Sequence, residues 1–485
     1  MTVEQIIGRQ DEKAILDLAF KSPSSEFIAI YGRRRIGKTH LAREFFGNAI
    51  CFEIIGKHGA SLVEQLKIFS QSLTEAIGRG IPTQRPSSWL EAFHQLEMFL
   101  ESLPRKKKLE KRVVFFDELP WLDTPRSKFL SGLEHFWNSW GSRQNDFVLV
   151  ICGSAASWMI QNIVRGKGGL HNRLTRQIRL LPFNLCETEK FLKSLGVVLT
   201  RPQIAELYMT MGGIPHYLKQ IEPGLSAAQL IDKICFSSMG LLRHEFDNLY
   251  ASLFYESEQH LRIIKALAAK RSGLTRNEIL KAISLLSGGS ASSRLDELEE
   301  SGFIQSLIPF GKKTKDALYR LSDEYSLFYL YWINKLGKRS PGKGYWMSQQ
   351  NTPRLNTWAG YAFENLCLKH TPRMKAALGI ASVETTEAPW RYQSSSESDI
   401  PGAQIDLLID RSDKTISLCE MKYSKIAFTI DKRYAADLRR KLDVFRSVTG
   451  TRKNIFLTMV TTFGVKNNAY AKELVANSLT LEDLF

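Results

Sequence analysis

The chain has 485 residues, of which 44% are hydrophobic and 24% are charged. This balance is typical of globular proteins and excludes the disordered and fibrous classes, and the length predicts roughly three domains. No apolar run reaches the ~20 residues that cross a bilayer, and the polar start of the chain lacks the apolar stretch of a signal peptide. The sequence therefore predicts a cytoplasmic protein without membrane contact.

The net charge of +16 reflects 66 basic and 50 acidic residues. This excess favours a polyanionic partner, because lysine and arginine release condensed counterions when they neutralise phosphates. We expect nucleic acid, DNA rather than RNA, and the alternative is a basic surface without a nucleic-acid role. The six cysteines lie far apart and form no C-x-x-C pair, which predicts reduced core thiols rather than disulfides or a zinc site.

The first 185 residues alternate apolar strands with helical stretches. The strands are "EFIAIYG", "RVVFFDE" and "DFVLVICGS", and the helix "KTHLAREFF" follows the first of them. This alternation predicts an α/β fold in which helices cover a parallel sheet. A long helical region with a proline-rich break at residues 80–89 separates the first two strands, and residues 186–250 become helical, which suits a small lid.

Residues 251–335 have the pattern of three helices followed by a two-stranded hairpin. Thr275 and Glu278 open one helix with the spacing of a capping box. The arrangement resembles a winged helix-turn-helix, which often places its third helix in the DNA major groove. Here the third helix, "SSRLDELEES", carries four acids, which favours a spacer or protein-contact role. DNA contact is then left to the basic hairpin tip, which holds Lys312, Lys313 and Lys315.

A Gly/Pro/Lys-rich stretch, "GKRSPGKG", marks a predicted linker over residues 336–354. Beyond it, residues 355–485 contain a helix, a polar loop "QSSSESD", two apolar strands and a basic helix. We therefore predict a core, a lid, a helix-and-hairpin module, a linker and a C-terminal domain. Their bounds are residues 1–185, 186–250, 251–335, 336–354 and 355–485.

The motif G-x-x-x-x-G-K-[ST] lies between the first strand and its helix, as Gly32, Gly37, Lys38 and Thr39. The glycines allow backbone N–H groups to face phosphates, the lysine reaches the outer phosphates, and the threonine holds Mg²⁺. The motif therefore predicts ATP and Mg²⁺ as cofactors. The variable positions of this loop are occupied by Arg33, Arg34 and Arg35, whose side chains we expect to point out of the phosphate cradle.

Two acids, Asp117 and Glu118, follow the apolar run of "VVFFDE". We expect Asp117 to reach the metal and Glu118 to polarise the attacking water. An acidic pair at a strand end is often only surface, but the phosphate-binding motif upstream favours the catalytic interpretation.

Five motifs occur along the first half of the chain: "IIGRQDE", "GRRRIGKT", "VVFFDELPWL", "LVICGSAASWM" and "GGIPHYL". Together they resemble the archaeal-type ATPases near the AAA+ and STAND groups of P-loop proteins, over about residues 3–240. The resemblance implies Mg²⁺-dependent ATP hydrolysis. It further implies that Ile7, Gly8 and Arg9 lie near the adenine, that Ser154 contacts the γ-phosphate and that Pro215 belongs to a lid motif.

The resemblance also implies an arginine at the γ-phosphate, supplied within the chain or by a neighbouring subunit. The candidates are Arg173, which we prefer, and Arg176; a solvated basic loop is the alternative. A contribution from a neighbour would require a homo-oligomer. In "GGIPHYL", His216 follows the proline and the expected arginine is missing, which leaves room for a slow ATP switch.

The strands "QIDLLID" and "SLCEMKY" carry Asp406, Glu420 and Lys422. Alternate residues of a strand share a face, so Glu420 and Lys422 can converge, with Asp406 opposite them. Two carboxylates can hold a divalent metal, and a lysine can activate the water that attacks a phosphodiester. Glu364, on the preceding helix, is a candidate for a further carboxylate.

The order of these elements resembles the PD-(D/E)xK restriction-endonuclease fold over residues 355–485, although Gln404 and Ile405 stand where a Pro-Asp pair would precede Asp406. The resemblance implies a nuclease, and the alternative is a salt-bridged relic that serves as a scaffold. Nine basic residues and three acids lie between Lys425 and Lys453. This excess favours nucleic-acid contact by the following helix, with a solvated helix face as the alternative.

Two hypotheses of function remain. The first is a P-loop ATPase that couples its nucleotide state to a DNA-acting, metal-dependent nuclease-like domain, for defence or mobile-element handling. The second is a STAND-like ATP switch whose nuclease-fold domain only binds DNA or a partner protein.

Overall fold

The structure is a computed structural model that describes residues 6–78, 83–104, 111–164, 170, 172–254, 257–284, 289–337, 341–394 and 400–485. Parts of the predicted proline-rich break, linker and polar loop lie outside these residues. Contacts divide the chain into two compact units, Met1–Pro182 and Phe183–Phe485. The first unit ends close to the predicted end of the core at residue 185, whereas the finer division of residues 186–485 stays a prediction.

The first unit alternates helices and strands along the chain. Its helices are α1 (Gln10–Lys21), α2 (Lys38–Phe46), α3 (Leu62–Ile77), α4 (Trp89–Ser102), α5 (Leu119–Leu122), α6 (Phe129–Ser139) and α7 (Ala156–Met159). Its strands are β1 (Glu26–Tyr31), β2 (Ile50–Ile55), β3 (Arg112–Asp117), β4 (Phe147–Gly153) and β5 (Arg176–Arg179).

These five strands form one parallel sheet in the order β2-β3-β4-β1-β5. Every residue of β1, β3 and β4 is buried, because helices cover the sheet on both faces. Aromatic rings, including Phe69, Phe93 and Phe136, pack in the core of this unit, and each buried ring contributes about 1.5–3 kcal/mol of stability. The predicted α/β fold with a parallel sheet is confirmed.

Parallel strands bring the segments that follow them to one edge of the sheet. The glycine-rich loop follows β1, Glu118 follows β3 and Ser154 follows β4. Since β4 lies between β1 and β3, the residues after all three strands are neighbours at the carboxyl edge, where α/β sheets bind ligands.

The second unit begins with helices and ends with a mixed sheet. Its helices are α8 (Leu185–Ser194), α9 (Arg201–Met211), α10 (Pro215–Leu218), α11 (Ala227–Ile231), α12 (Glu245–Ala251), α13 (Ser257–Ala269), α14 (Arg276–Ala282), α15 (Gly289–Glu300), α16 (Glu324–Phe328), α17 (Tyr345–Gln349), α18 (Pro353–Lys369), α19 (Thr371–Ala377), α20 (Lys432–Thr449) and α21 (Ala469–Leu474). Its strands are β6 (Leu274–Thr275), β7 (Ile304–Leu307), β8 (Leu318–Leu321), β9 (Thr385–Tyr392), β10 (Ala403–Arg411), β11 (Thr415–Lys422), β12 (Asn454–Thr461) and β13 (Asn477–Leu479).

A small antiparallel sheet, in the order β6-β8-β7, accompanies α13, α14 and α15. The predicted capping box is present, because the Thr275 side chain accepts from the N–H of Glu278 and the Glu278 carboxylate accepts from the N–H of Thr275. In the third helix, Glu297 contacts His260 and Glu299 accepts from Ser306. These two acids therefore serve contacts within the second unit.

The larger sheet of the second unit has the order β13-β12-β11-β10-β9. Strands β9, β10 and β11 are antiparallel neighbours, whereas β11, β12 and β13 run parallel. Helix α20 packs on β10 through Leu438 and Phe445, and α18 packs on β11. All but the last residue of β11 are buried, so side chains at the end of this strand face protein rather than open solvent.

Part of the predicted linker is a packed helix. Trp346, in α17, is fully buried and its ring stacks on Phe236, 5.7 Å between centroids. Asp232 accepts hydrogen bonds from the backbone N–H groups of Gly344 and Trp346. Residues 344–349 are therefore not an exposed linker, because the indole has a pocket of aromatic rings that the local Gly/Pro/Lys composition does not reveal.

All six cysteines are free thiols, as predicted, and four of them are buried. Within the described ranges, no helix is long and apolar enough to cross a membrane.

Candidate functional site

The glycine-rich loop connects β1 to α2, and two of its glycines have backbone angles that other residues rarely adopt. Gly37 has a φ of 94° and Gly32 a φ of 144°, a region that side chains disfavour. A Cβ on Gly32 would also lie 2.3 Å from the carbonyl oxygen of Leu180. This loop conformation therefore requires glycine at both positions and leads into α2 at Lys38.

Lys38 is buried under the loop, with 6% of its surface exposed. Its Nζ donates to the carbonyl oxygens of Gly32 at 3.0 Å and Arg33 at 2.9 Å. Burial lowers the pKa of Lys38, and the nearby acids Glu118 and Asp117 only partly oppose this effect. An anionic ligand at the loop would favour the charged ammonium, since opposite charge stabilises a buried cation.

Thr39 and Asp117 meet at the carboxyl edge of the sheet. The hydroxyl of Thr39 donates to Oδ2 of Asp117 at 2.7 Å, although the two residues belong to α2 and β3. Hydroxyl and carboxylate oxygens are ligands that suit Mg²⁺, which usually completes its shell with phosphate oxygens and water. In the described part of the chain, no three His, Cys, Asp or Glu side chains form a metal cluster. The donor set therefore fits Mg²⁺ together with phosphates.

Glu118 lies directly after Asp117 with a left-handed φ of 47°. Its Oε2 accepts hydrogen bonds from the N–H of Ser154 at 3.2 Å and from the hydroxyl of Ser154 at 2.7 Å. The other carboxylate oxygen has no hydrogen-bond partner among the described residues. The end of β3 thus directs one acid to Thr39 and the next to Ser154 at the end of β4.

Arg9 connects the start of the chain to the glycine-rich loop. It is buried, and its guanidinium donates to the carbonyl oxygens of Ile36 at 3.2 Å and Leu181 at 2.7 Å. Ile7 and Gly8 precede it, and both Gly8 and Arg9 have left-handed backbones. The structure therefore brings this segment to the loop, and its predicted adenine contact stays a prediction.

A second cluster of charged residues lies in the larger sheet of the second unit. Glu420, on β11, is fully buried, and its two oxygens lie 2.7 and 2.9 Å from Nζ of Lys441 on α20. Lys422 Nζ lies 3.6 Å from the same carboxylate, and the Tyr434 hydroxyl donates to it at 3.4 Å. Asp406, on β10, accepts from the N–H of Met421 at 3.1 Å.

Glu364 lies on α18, which packs against β11, the strand that carries Glu420 and Lys422. Burial raises the pKa of Glu364, and Asp406 adds to the rise, while Arg320, 2.5 Å away, opposes it. Burial also raises the pKa of Glu420, again with a contribution from Asp406 and opposition from Lys441. The predicted residues Glu364, Asp406, Glu420 and Lys422 therefore act on one another at one site.

The predicted metal role of Asp406 and Glu420 stays a prediction, and the position of Lys441 restricts it. Lys441 bonds both oxygens of Glu420, so a divalent ion could use this carboxylate only if the ammonium moved away. Lys441 is one of the nine basic residues for which the sequence predicts nucleic-acid contact. Its position on the face of α20 that also carries Tyr434, seven residues earlier, was the available signal for an inward direction.

Comparison with known proteins concerns mainly the first unit. A family model described as an ATPase domain predominantly from Archaea matches residues 9–221. This segment is therefore similar to archaeal-type ATPase domains.

Other similarities extend beyond the ATPase domain. The uncharacterised protein MJECL04 of Methanocaldococcus jannaschii is 24% identical over 438 residues, which cover 90% of this chain and 91% of that protein. Among solved structures, a Walker-type ATPase of Pyrococcus abyssi has a TM-score of 0.48 and 16% identity, covering 67% of this chain and 96% of that one. The ORC2 protein of Aeropyrum pernix has a TM-score of 0.40 and 16% identity, covering 69% and 96%. TM-scores below 0.5 carry no argument about function.

The two arginines predicted to contact the γ-phosphate lie in β5 or just before it, and their role stays a prediction. Arg176 is paired in register with Ile28, and its Nε lies 3.7 Å from Glu26, the first residue of β1. This position is three residues, or roughly 10 Å, from the edge that carries the glycine-rich loop. Arg173 precedes β5 and is exposed.

Arg179 is an arginine of β5 that the sequence analysis did not single out. It is exposed and pairs in register with Tyr31, the last residue before the glycine-rich loop. The position of Arg179 beside Tyr31 follows only from the register of β5 against β1, because the sequence does not indicate where the short strand "RQIR" starts relative to its partner.

The arginines inside the loop do not all point outward. Arg33 is 3% exposed, so its side chain is covered by other residues of the first unit rather than by solvent. Arg34 is half-buried, and its guanidinium lies 5.8 Å from the ring of Trp121. Arg33 and Arg34 are therefore at least partly covered by other residues of the first unit.

Pro215 begins α10 in the second unit, although the matched family segment includes it. Its predicted nucleotide contact stays a prediction.

The basic stretch of the second unit is less available to nucleic acid than its composition indicated. Besides Lys441, three of its cations form ion pairs with carboxylates of the same unit: Arg439 with Glu473, Arg440 with Asp437, and Lys453 with Asp410. Exposed positions without such pairs among the described residues are Lys425, which donates to the side chain of Asn351, and Lys432, Arg433, Arg446 and Arg452. The hairpin-tip lysines Lys312, Lys313 and Lys315 are also exposed.

Proposed function

We propose that the ATPase domain binds ATP with Mg²⁺ at the carboxyl edge of its sheet and hydrolyses it there. The observation that carries this proposal is the 2.7 Å contact between Thr39 and Asp117 beside the buried Lys38. Bound Mg²⁺ would neutralise charge on the outer phosphates. Thr39 and Asp117 hold it, and Lys38 places a positive charge against the same phosphates.

Glu118 is the group that would orient the attacking water. Ser154 fixes one oxygen of this carboxylate through two hydrogen bonds and leaves the other for a water molecule. Arg173 would stabilise the γ-phosphate across a subunit interface, so the proposal includes a homo-oligomer. A cation at this position acts on the charge of the transition state.

Replacing Thr39 with alanine tests the magnesium part of this proposal. The variant removes one metal ligand. A hydrogen bond to a charged group contributes about 1.5–3 kcal/mol, which corresponds to roughly 10 to 100-fold in affinity, and we expect a loss of this size. ATP affinity should rise on adding Mg²⁺ to the unaltered protein and rise much less in Thr39→Ala. In EDTA, the two proteins should bind ATP alike, which serves as the internal control. An unchanged Mg²⁺ effect in the variant would refute the assignment of Thr39.

We also propose that residues 251–335 form a winged helix and that residues 355–485 form a nuclease-like domain that acts on DNA under control of the nucleotide. The support is that Asp406, Glu420 and Lys422 lie on the paired strands β10 and β11, and that Glu364 lies on α18, which packs against β11. Burial opposes the charge on Lys422, but these carboxylates outweigh it and raise the pKa of the lysine. The ammonium therefore stays charged, which suits contact with a phosphodiester rather than proton abstraction.

One observation favours the second function, in which this domain only binds DNA or a partner protein. Lys441 neutralises Glu420 with two contacts under 3 Å, as in a buried ion pair that stabilises a scaffold. Cleavage of DNA in the presence of Mg²⁺ distinguishes the two functions, and the decisive variant is described in the Discussion.

A further inference from the structure

Five side chains near the candidate nuclease site form a surface of cations stacked on tyrosines. We call it the stacked surface: Arg271, Tyr331, Lys335, Arg354 and Tyr361. The guanidinium of Arg271 lies 3.5 Å from the ring centroid of Tyr361 and 5.4 Å from that of Tyr331. Lys335 and Arg354 lie 4.9 and 5.5 Å from the Tyr331 ring. Arg354 also lies 4.1 Å from the ring centroid of the buried Trp332, so three aromatic rings position three cations.

These cations lack carboxylate partners within salt-bridge distance in the described part of the chain. Arg354 donates to the carbonyl oxygen of Tyr331 at 3.0 Å, which fixes its side chain without neutralising it. A guanidinium that stacks on a ring uses its face and keeps the N–H donors at its edge for another acceptor. The stacked surface therefore holds three ordered positive charges that remain open to an anion.

The stacked surface shares helix α18 with the carboxylate–lysine cluster, which consists of Glu364, Asp406, Glu420 and Lys422. Arg354, Tyr361 and Glu364 all lie on α18, at spacings of seven and three residues, which keep side chains on neighbouring parts of one helix face. Glu364 interacts with Asp406 and Lys422. A chain of phosphates bound at Arg354 and Arg271 would thus lead toward these acids.

Tyrosine next to arginine favours an unpaired strand over a duplex. Tyr361 is 41% exposed, so part of its ring is accessible. Bases of a single strand stack on such rings while cations follow the backbone, and each stacked base contributes about 1–3 kcal/mol. In a duplex the base faces are already stacked on one another. We propose that the stacked surface binds single-stranded nucleic acid and leads it to the candidate nuclease site; this role rests on the proposed nuclease function.

Binding can be measured in EDTA and without nucleotide, so that neither cleavage nor ATP hydrolysis affects the result. The probe is a fluorescein-labelled oligo(dT) of about 20 nucleotides, compared by anisotropy with a blunt duplex of the same length. The full chain should bind the single strand more tightly than the duplex. Arg271→Ala and Tyr361→Ala should each weaken single-strand binding about tenfold, whereas Tyr361→Phe, which keeps the ring, should bind within about twofold of the unaltered chain.

Lys190→Ala is the matched control, because it removes one exposed positive charge from α8 of the same unit. It should change affinity little, and thermal unfolding should show that all variants fold. If Arg271→Ala fails to fold, Lys335→Ala, at an exposed position, replaces it. Equal binding of duplex and single strand, unchanged affinity in Tyr361→Ala, or an equal loss in Lys190→Ala would overturn the proposal. Absence of DNA cleavage with these binding differences intact would reject the nuclease function and leave the binding surface standing.

Discussion

Replacing Glu118 with glutamine is expected to reduce kcat for ATP hydrolysis by about 10²–10⁴, the usual contribution of a positioned general base. Glutamine keeps the shape of the side chain and can still accept from Ser154, but it cannot take a proton from water. The affinity for ATP should stay unchanged, because Glu118 does not lie in the glycine-rich loop. Phosphate release under saturating ATP measures kcat, and a binding titration measures affinity.

Glu75→Gln is the matched control for this variant, since Glu75 is an exposed acid on α3 of the same unit. Its kcat should equal that of the unaltered protein. Full activity in Glu118→Gln would show that another group activates the water. An equal loss of affinity and kcat would instead indicate that Glu118 supports the loop.

Replacing Glu420 with glutamine is expected to abolish Mg²⁺-dependent cleavage of DNA. The loss of cleavage activity should be larger than the loss of about 10 to 100-fold that follows when a residue that only supports a metal ligand is changed. Lys422→Met should have a comparable effect, because it removes the cation proposed to contact the phosphodiester. Plasmid and linear DNA, single-stranded and double-stranded, are incubated with Mg²⁺ and with or without ATP, and the products are separated by size.

Glu473→Gln controls for the loss of a carboxylate in the same unit, because Glu473 is an exposed partner of Arg439. This variant should cut as the unaltered protein does. ATP binding should persist in both the Glu420 and the Lys422 variants. Absence of cutting by the unaltered protein on every substrate, including RNA, would end the nuclease proposal and leave the domain that only binds DNA or a partner protein.

The sequence was sufficient to predict the parallel sheet and the loop that follows its first strand. Both depend on local signals: apolar strands of five to seven residues, glycines with fixed spacing, and acids that end a strand. Asp117 could be assigned from its place after a buried strand, and the structure places it beside Thr39. Such residues are predictable because the carboxyl ends of parallel strands meet at one edge.

Side-chain positions that depend on how distant segments of the chain pair or pack could not be predicted from the sequence. The register of β5 against β1 decides that Arg176 lies near Glu26 and that Arg179 lies near the loop. The inward direction of Lys441 depends on how α20 packs on the larger sheet, and the buried position of Trp346 depends on aromatic rings from other helices. The composition of these segments indicated only surface charge or a linker, because composition contains no information about which face of a helix or strand is covered.

The central claim is that the glycine-rich loop binds ATP, and calorimetric titration of MgATP into Lys38→Ala tests it most directly. Lys67→Ala, on the exposed face of α3, is the matched control that removes a lysine from the same unit. The account predicts tight binding by the unaltered protein and by Lys67→Ala, and a loss of about 10 to 100-fold or more in Lys38→Ala, because a charge-assisted contact to the phosphates is removed. Unchanged affinity in Lys38→Ala would contradict it.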